Sequence, residues 1–107
     1  MDAEQIIRVF DMKPLPEEGG FYTETYRSGR KVSPDALEQG YEGPRCLSTA
    51  ILYLITPETF SAMHRIKSDE IFHFYRGDPV KMLQLYPDGT DAVFELGTDI
   101  EDDQLPQ

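Results

Sequence analysis

Apolar residues recur along this chain with two different periods. At the N-terminus Ala3, Ile6, Ile7 and Phe10 fall at helical spacing. Asp2 with Gln5 three residues on supplies the two side chains of a reciprocal N-terminal cap, so the pattern predicts a short amphipathic helix over residues 3–10. Pro14 and Pro16 end it, since proline cannot extend a helix. After Glu17, Glu18, Gly19 and Gly20 the pattern changes. Residues 21–27 are aromatic and β-branched, which suits a pleated surface, and they predict the first long strand. Residues 28–44 carry Gly29, Gly40, Gly43, Pro34 and Pro44 among mixed charges without periodicity, and read as a long loop.

From Cys46 onward the apolar runs become short and closely spaced. Residues 46–55 are almost wholly apolar and predict a strand buried on both faces. Residues 59–66, 70–76, 80–86 and 90–96 follow as further strands. They are separated by turn signals at Thr56-Pro57-Glu58, Lys67-Ser68-Asp69, Gly77-Asp78-Pro79 and Pro87-Asp88-Gly89. This spacing argues for an all-β sandwich or barrel in a single domain spanning residues 1–107. The tail, residues 97–107, is acidic, has only Ile100 and Leu105 as large apolar residues, and lacks the pattern of a closing strand. A sheet left with an uncovered edge invites pairing with another chain. Together with the apolar run at 46–55 and the aromatic strand at 21–27, this predicts a homodimer built by sheet extension or strand exchange.

Charge narrows the partners. Against 10 Lys plus Arg stand 20 Asp plus Glu, a net charge of −10 at pH 7, which opposes any attraction to phosphate backbones or anionic lipid. Nucleic acid and membrane are therefore not expected as partners. The single cysteine, Cys46, cannot form an internal disulfide and is expected as a buried core residue in a reducing compartment. The acidic N-terminus is unlike a secretory signal and no apolar run approaches a membrane span, so the cytosol is the expected location.

The densest group of chemically useful residues lies between Phe60 and Gly77 and holds both histidines, His64 and His73. If residues 59–66 and 70–76 were adjacent antiparallel strands, alternation would put His64 on one face of the first and Glu70 with Phe72 on one face of the second. A carboxylate beside an imidazole can serve as an acid/base pair or as two metal ligands. The alternative is a solvated His and Glu near a turn. His73, which alternation places opposite Glu70, reads as a hydrogen-bonded core or interface residue. Gly19-Gly20 and Gly40-x-x-Gly43 lack the Lys and Ser/Thr of a phosphate loop.

The positions His64, Ile66, Glu70 and Gly77 resemble the first cupin motif, with Ile66 where that motif has its second histidine and Glu58 where it has a leading glycine. More closely, residues 15–28, 48–51 and 61–74, with Gly77-Asp78-Pro79 and Pro87-Asp88-Gly89-Thr90, resemble the cupin subfamily of unknown function called DUF985. The resemblance implies a cupin double-stranded β-helix, a jelly-roll sandwich with a short N-terminal helix. It also implies a small-molecule ligand in the barrel, with sugar nucleotides or related compounds suspected from likeness to dTDP-sugar 3,5-epimerases. It further implies that a Val- and aromatic-rich strand and a second cupin motif would follow residues 102–107, and neither is present in this sequence. On that reading His64 and Glu70 are the expected catalytic residues and Tyr26, Phe72 and His73 line the ligand. Ile66 cannot ligate, and two protein ligands hold a divalent ion weakly, so no metal and no cofactor are expected. The competing expectation is a truncated or degenerate cupin that acts as a structural or interaction module without catalysis.

Overall fold

A computed structural model describes residues 1–37 and 41–107. It is built mostly of strands in antiparallel sheets, with one short α-helix at the N-terminus, in agreement with the all-β expectation. The described residues fall into two compact units, Met1–Lys67 and Ser68–Gln107. Gly40 lies outside the described residues, and the Gly40-x-x-Gly43 motif with it.

In the first unit, helix α1 (Ala3–Val9) begins at the expected cap. The Asp2 carboxylate accepts from the Gln5 amide at 2.8 Å, and the Gln5 side chain accepts from the Asp2 amide at 2.9 Å. Strand β1 (Lys13–Pro14) pairs antiparallel with β2 (Phe21–Arg27), which pairs in turn with β5 (Thr49–Leu54). The predicted loop at 28–44 is partly structured: β3 (Lys31–Val32) pairs with β4 (Arg45–Cys46), and a 3-10 turn occupies Pro34–Ala36. Strand β5 is shorter and more open than the apolar run at 46–55 predicts. Thr49, Ala50 and Ile51 are exposed, because the ladder covers the edge of β5 facing β2 and no further strand pairs with the other edge among the described residues.

Alternation fails inside β2, with consequences for the side chains it presents. Glu24 pairs with Ile51 and Tyr26 with Ala50, which leaves Thr25 as a bulge. The extra residue moves Tyr26 to the sheet face of Phe21, Thr23, Leu52 and Leu54, and brings Glu24 and Arg27 onto the opposite face. Arg27 then reaches Glu24 at 2.6 Å and the Cys46 thiol at 3.3 Å. The hydrogen bond to Glu24, followed by that to Cys46, holds the guanidinium even more firmly protonated than usual. Cys46 is half-buried rather than buried, since its partner across β3–β4 is Lys31 and its sulfur meets a charged group.

In the second unit, β6 (Val80–Leu85) and β7 (Asp91–Leu96) form a hairpin with Met82 opposite Phe94 and Leu83 opposite Val93. The tail does not trail off. After a 3-10 turn at Ile100–Asp102 it returns along β7, with Leu105 bridging Leu96 in parallel. The Leu105 amide donates to Glu95 at 2.9 Å and the Gly97 amide to Leu105 at 3.0 Å. Gln104 is buried over Gly97, accepting from the Asp99 amide and donating to Glu95, both at 3.0 Å.

The segments 59–66 and 70–76 carry no strand pairing among the described residues, contrary to the alternation reading. A strand is defined by a ladder with a neighbour, and these backbones find single partners instead. Ala62 donates to the Glu18 carbonyl at 2.6 Å and Phe74 to the Pro106 carbonyl at 2.8 Å.

Candidate functional site

The loop between β1 and β2, residues 15–20, gathers three left-handed backbone positions. Glu17, Gly19 and Gly20 all adopt positive φ, at 65°, 92° and 76°. The loop closes on itself through the Leu15 amide on the Gly20 carbonyl at 2.9 Å and the Gly19 amide on the Leu15 carbonyl at 3.1 Å. The glycines are required by contact as well as by conformation. A Cβ on Gly19 would strike the Phe60 carbonyl, and one on Gly20 would lie 2.8 Å from both the Leu54 carbonyl and the Tyr53 hydroxyl. That hydroxyl donates to the Gly19 carbonyl at 2.5 Å.

This loop is fastened to the segment that carries His64. The Ala62 amide holds the Glu18 carbonyl at 2.6 Å, the Ala62 carbonyl meets His64 Nδ1 at 2.6 Å, and His64 Nε2 faces Glu18 Oε2 at 3.7 Å. The two side chains keep 30% and 40% of their surfaces open to solvent. Beside them lies a pocket of about 230 Å³ lined by Glu17, Glu18, Gly19, Glu58, Thr59, Phe60 and Ala62. Thr59 is fixed by the Thr56 amide, which donates to its hydroxyl at 2.8 Å. An imidazole whose one nitrogen is engaged by a backbone carbonyl and whose other nitrogen looks toward a carboxylate and solvent can accept or pass on a proton and can hydrogen-bond a ligand.

Tyr26 is exposed near the end of β2, on the face to which the bulge turns it. Glu70, Phe72 and His73 belong to the second unit and are exposed; the His73 ring stacks on Tyr75 with centroids 6.4 Å apart and planes 18° from parallel. Neither 59–66 nor 70–76 belongs to a ladder among the described residues, so strand register does not supply the His64–Glu70 pairing that alternation predicts. Glu18 escaped the sequence reading. Its signal was the Gly19-Gly20 pair beside it, since adjacent glycines before a strand mark close approach of another backbone.

The donor set does not fit the cupin metal. Ile66 stands at the second histidine position, and among the described residues no group of three His, Cys, Asp or Glu side chains is placed to hold a metal ion. No helix among them is long and apolar enough to cross a membrane.

Comparison with known proteins places these features in context. The pattern of the family described as "Cupin superfamily (DUF985)" matches residues 4–107. The chain is also 28% identical over 95 residues to the uncharacterized protein YML079W of Saccharomyces cerevisiae, a match spanning 84% of this chain and 47% of that protein. The chain therefore spans about half the length of the curated relative it matches.

Proposed function

Because the chain belongs to the DUF985 family of the cupin superfamily, we propose that it binds a small molecule at the pocket beside the 17–20 loop, with His64 as proton acceptor or hydrogen-bond partner. The observation that carries this reading is the backbone-fastened approach of His64 to Glu18, which lines the pocket, with both side chains reachable from solvent. The family likeness adds sugar nucleotides and related metabolites as the first compounds to try. We place the protein in the cytosol, as a homodimer that engages neither nucleic acid nor membrane, in keeping with its charge of −10.

Thermal unfolding in the presence of a metabolite panel tests the proposal. A ligand that binds only the native state raises its stability by RT ln(1 + [L]/Kd), about 2.7 kcal/mol at a hundredfold excess over Kd, and so lifts Tm by several degrees. The rise is expected to disappear in His64→Ala. A broad panel that leaves Tm unchanged sinks the reading. The same assay on Tyr26→Ala, Glu70→Ala, Phe72→Ala and His73→Ala tests the ligand-contact and orienting roles expected of those residues.

A second reading, an interaction module without catalysis, is favoured by the open apolar surface. Among the described residues the only buried hydrophobic side chains are Met12 and Leu96, while Phe60, Ile71, Tyr75 and Val93 are largely exposed. A stable complex that forms equally well with the His64→Ala variant, in a protein that binds no metabolite, would favour it.

A further inference from the structure

We infer that His64 Nε2 and the Glu18 carboxylate form a two-acceptor clamp that grips a ligand through an O–H or N–H group. The inference rests on the reading that the pocket beside them is a ligand site. A neutral imidazole has one N–H and one lone pair. His64 Nδ1 lies 2.6 Å from the Ala62 carbonyl, an atom with no proton to give, so the hydrogen sits on Nδ1 and the lone pair on Nε2. That lone pair faces Glu18 Oε2 across 3.7 Å, too far for a hydrogen bond and with an acceptor on both sides.

Backbone bonding sets the gap. The Ala62 residue that fixes the ring through its carbonyl also donates its amide to the Glu18 carbonyl, so the imidazole and the carboxylate are tied through one residue. Two acceptors held side by side are both satisfied only by a donor arriving from outside. An amine or a polyol edge fits this demand. A phosphate dianion brings three further acceptor oxygens and negative charge to a pocket whose lining has Glu17, Glu18 and Glu58 and no Lys or Arg. The clamp therefore selects a hydroxyl or amino face of the ligand and leaves any phosphoryl group outside. Should the bound O–H or N–H group ionise, its proton bonds to Nε2 and its electron pair stays on the ligand. In the resulting imidazolium Nδ1–H still donates to the Ala62 carbonyl, and the positive charge on Nε2 faces the Glu18 carboxylate as an ion pair.

Nitrogen NMR of the unmodified protein at about pH 8, above the ordinary imidazole range, reads the tautomer directly, with His64 assigned by its loss in His64→Gln. The Nδ1–H form is expected, and a majority Nε2–H form overturns the inference. Titration of the same signal uses ethanolamine as the donor-bearing probe and inorganic phosphate as its counterpart. Ethanolamine is expected to shift Nε2 and phosphate to leave it in place; a phosphate response of equal size, or no response to ethanolamine, overturns donor selection. In Glu18→Gln the glutamine amide can donate to Nε2 and fill the gap, so ethanolamine should bind about tenfold more weakly, and unchanged binding removes Glu18 from the clamp. The tautomer and both titrations use the parent protein and stand even if that variant does not fold. An Nδ1–H tautomer with an ethanolamine response in a protein that binds no metabolite sinks the small-molecule function while supporting the clamp. An Nε2–H tautomer in a protein that binds a metabolite does the reverse.

Discussion

The backbone of three residues, Glu17, Gly19 and Gly20, decides whether Glu18 can face His64. Each holds positive φ, and for Gly20 the nearest atoms to a new Cβ are a carbonyl and a hydroxyl already engaged. Gly20→Ala is therefore predicted to lose about 1–3 kcal/mol in urea denaturation. Glu17→Gly relieves the left-handed conformation but adds chain entropy to the unfolded state, and is predicted to stay within about 0.5 kcal/mol of the parent. A second residue-level prediction concerns pH. The Thr90 hydroxyl, then the Thr90 amide, hydrogen-bond the Asp88 carboxylate at 2.6 and 2.9 Å and hold its pKa below the ordinary value. A lowered folded pKa means that the stabilisation is present above the unfolded value of about 3.9 and is lost as pH falls through the folded value. Carbon NMR of the Asp88 carboxyl should show its midpoint rise toward the ordinary value in Thr90→Val, and an unmoved midpoint would refute the assignment of cause.

At the scale of elements, the tail-to-hairpin contact is the clearest case of local chemistry serving the sheet. Gln104 and Leu105 lie along the end of β7, and the two bonds of the buried Gln104 amide help hold them there. Gly97 is what lets the amide in, since a Cβ there would overlap the Gln104 side chain. Gly97→Ala is predicted to cost about 1–3 kcal/mol and to speed hydrogen exchange at the Leu105 and Phe74 amides, which donate to Glu95 and Pro106. Unchanged exchange at both would mean that the tail is held by other contacts. The helix, β2 and the β6–β7 hairpin were legible in the sequence because cap spacing, aromatic and β-branched content and the Pro87-Asp88-Gly89 turn are local signals. The expected strands at 59–66 and 70–76 were not realised, because alternation specifies which way side chains would point in a strand and not whether a partner strand lies alongside.

For the whole molecule, open apolar surface and net charge act in opposite directions. On the hairpin, Leu83, Leu85 and Val93 are exposed on the face opposite Met82 and Phe94, and in the first unit no strand among the described residues pairs with the second edge of β5. These features favour self-association. A charge of −10 on each copy opposes it. Screening shortens that repulsion from a range of about 30 Å at 0.01 M salt to about 3 Å at 1 M, and it leaves apolar contact intact. The weight-average mass by light scattering is therefore predicted to rise toward the dimer as salt is added. A monomer at all ionic strengths would rule out the proposed homodimer, and a dimer that dissociates in salt would assign it to ion pairs instead.

Local patterning by itself determined the helix and its cap, the aromatic strand, the β6–β7 hairpin and the all-β class, since each depends on residues within a few positions of one another. The family was legible too, through His64, Glu70, Gly77 and the segments around them. Only the tertiary structure decided which carboxylate reaches His64. Glu18 is far from it in sequence, and what brings the two together is a main-chain bond from Ala62 to a loop bent by glycines. The bulge at Thr25 was likewise invisible to a period-two reading, because one inserted residue reverses every face beyond it while leaving the composition of the strand unchanged.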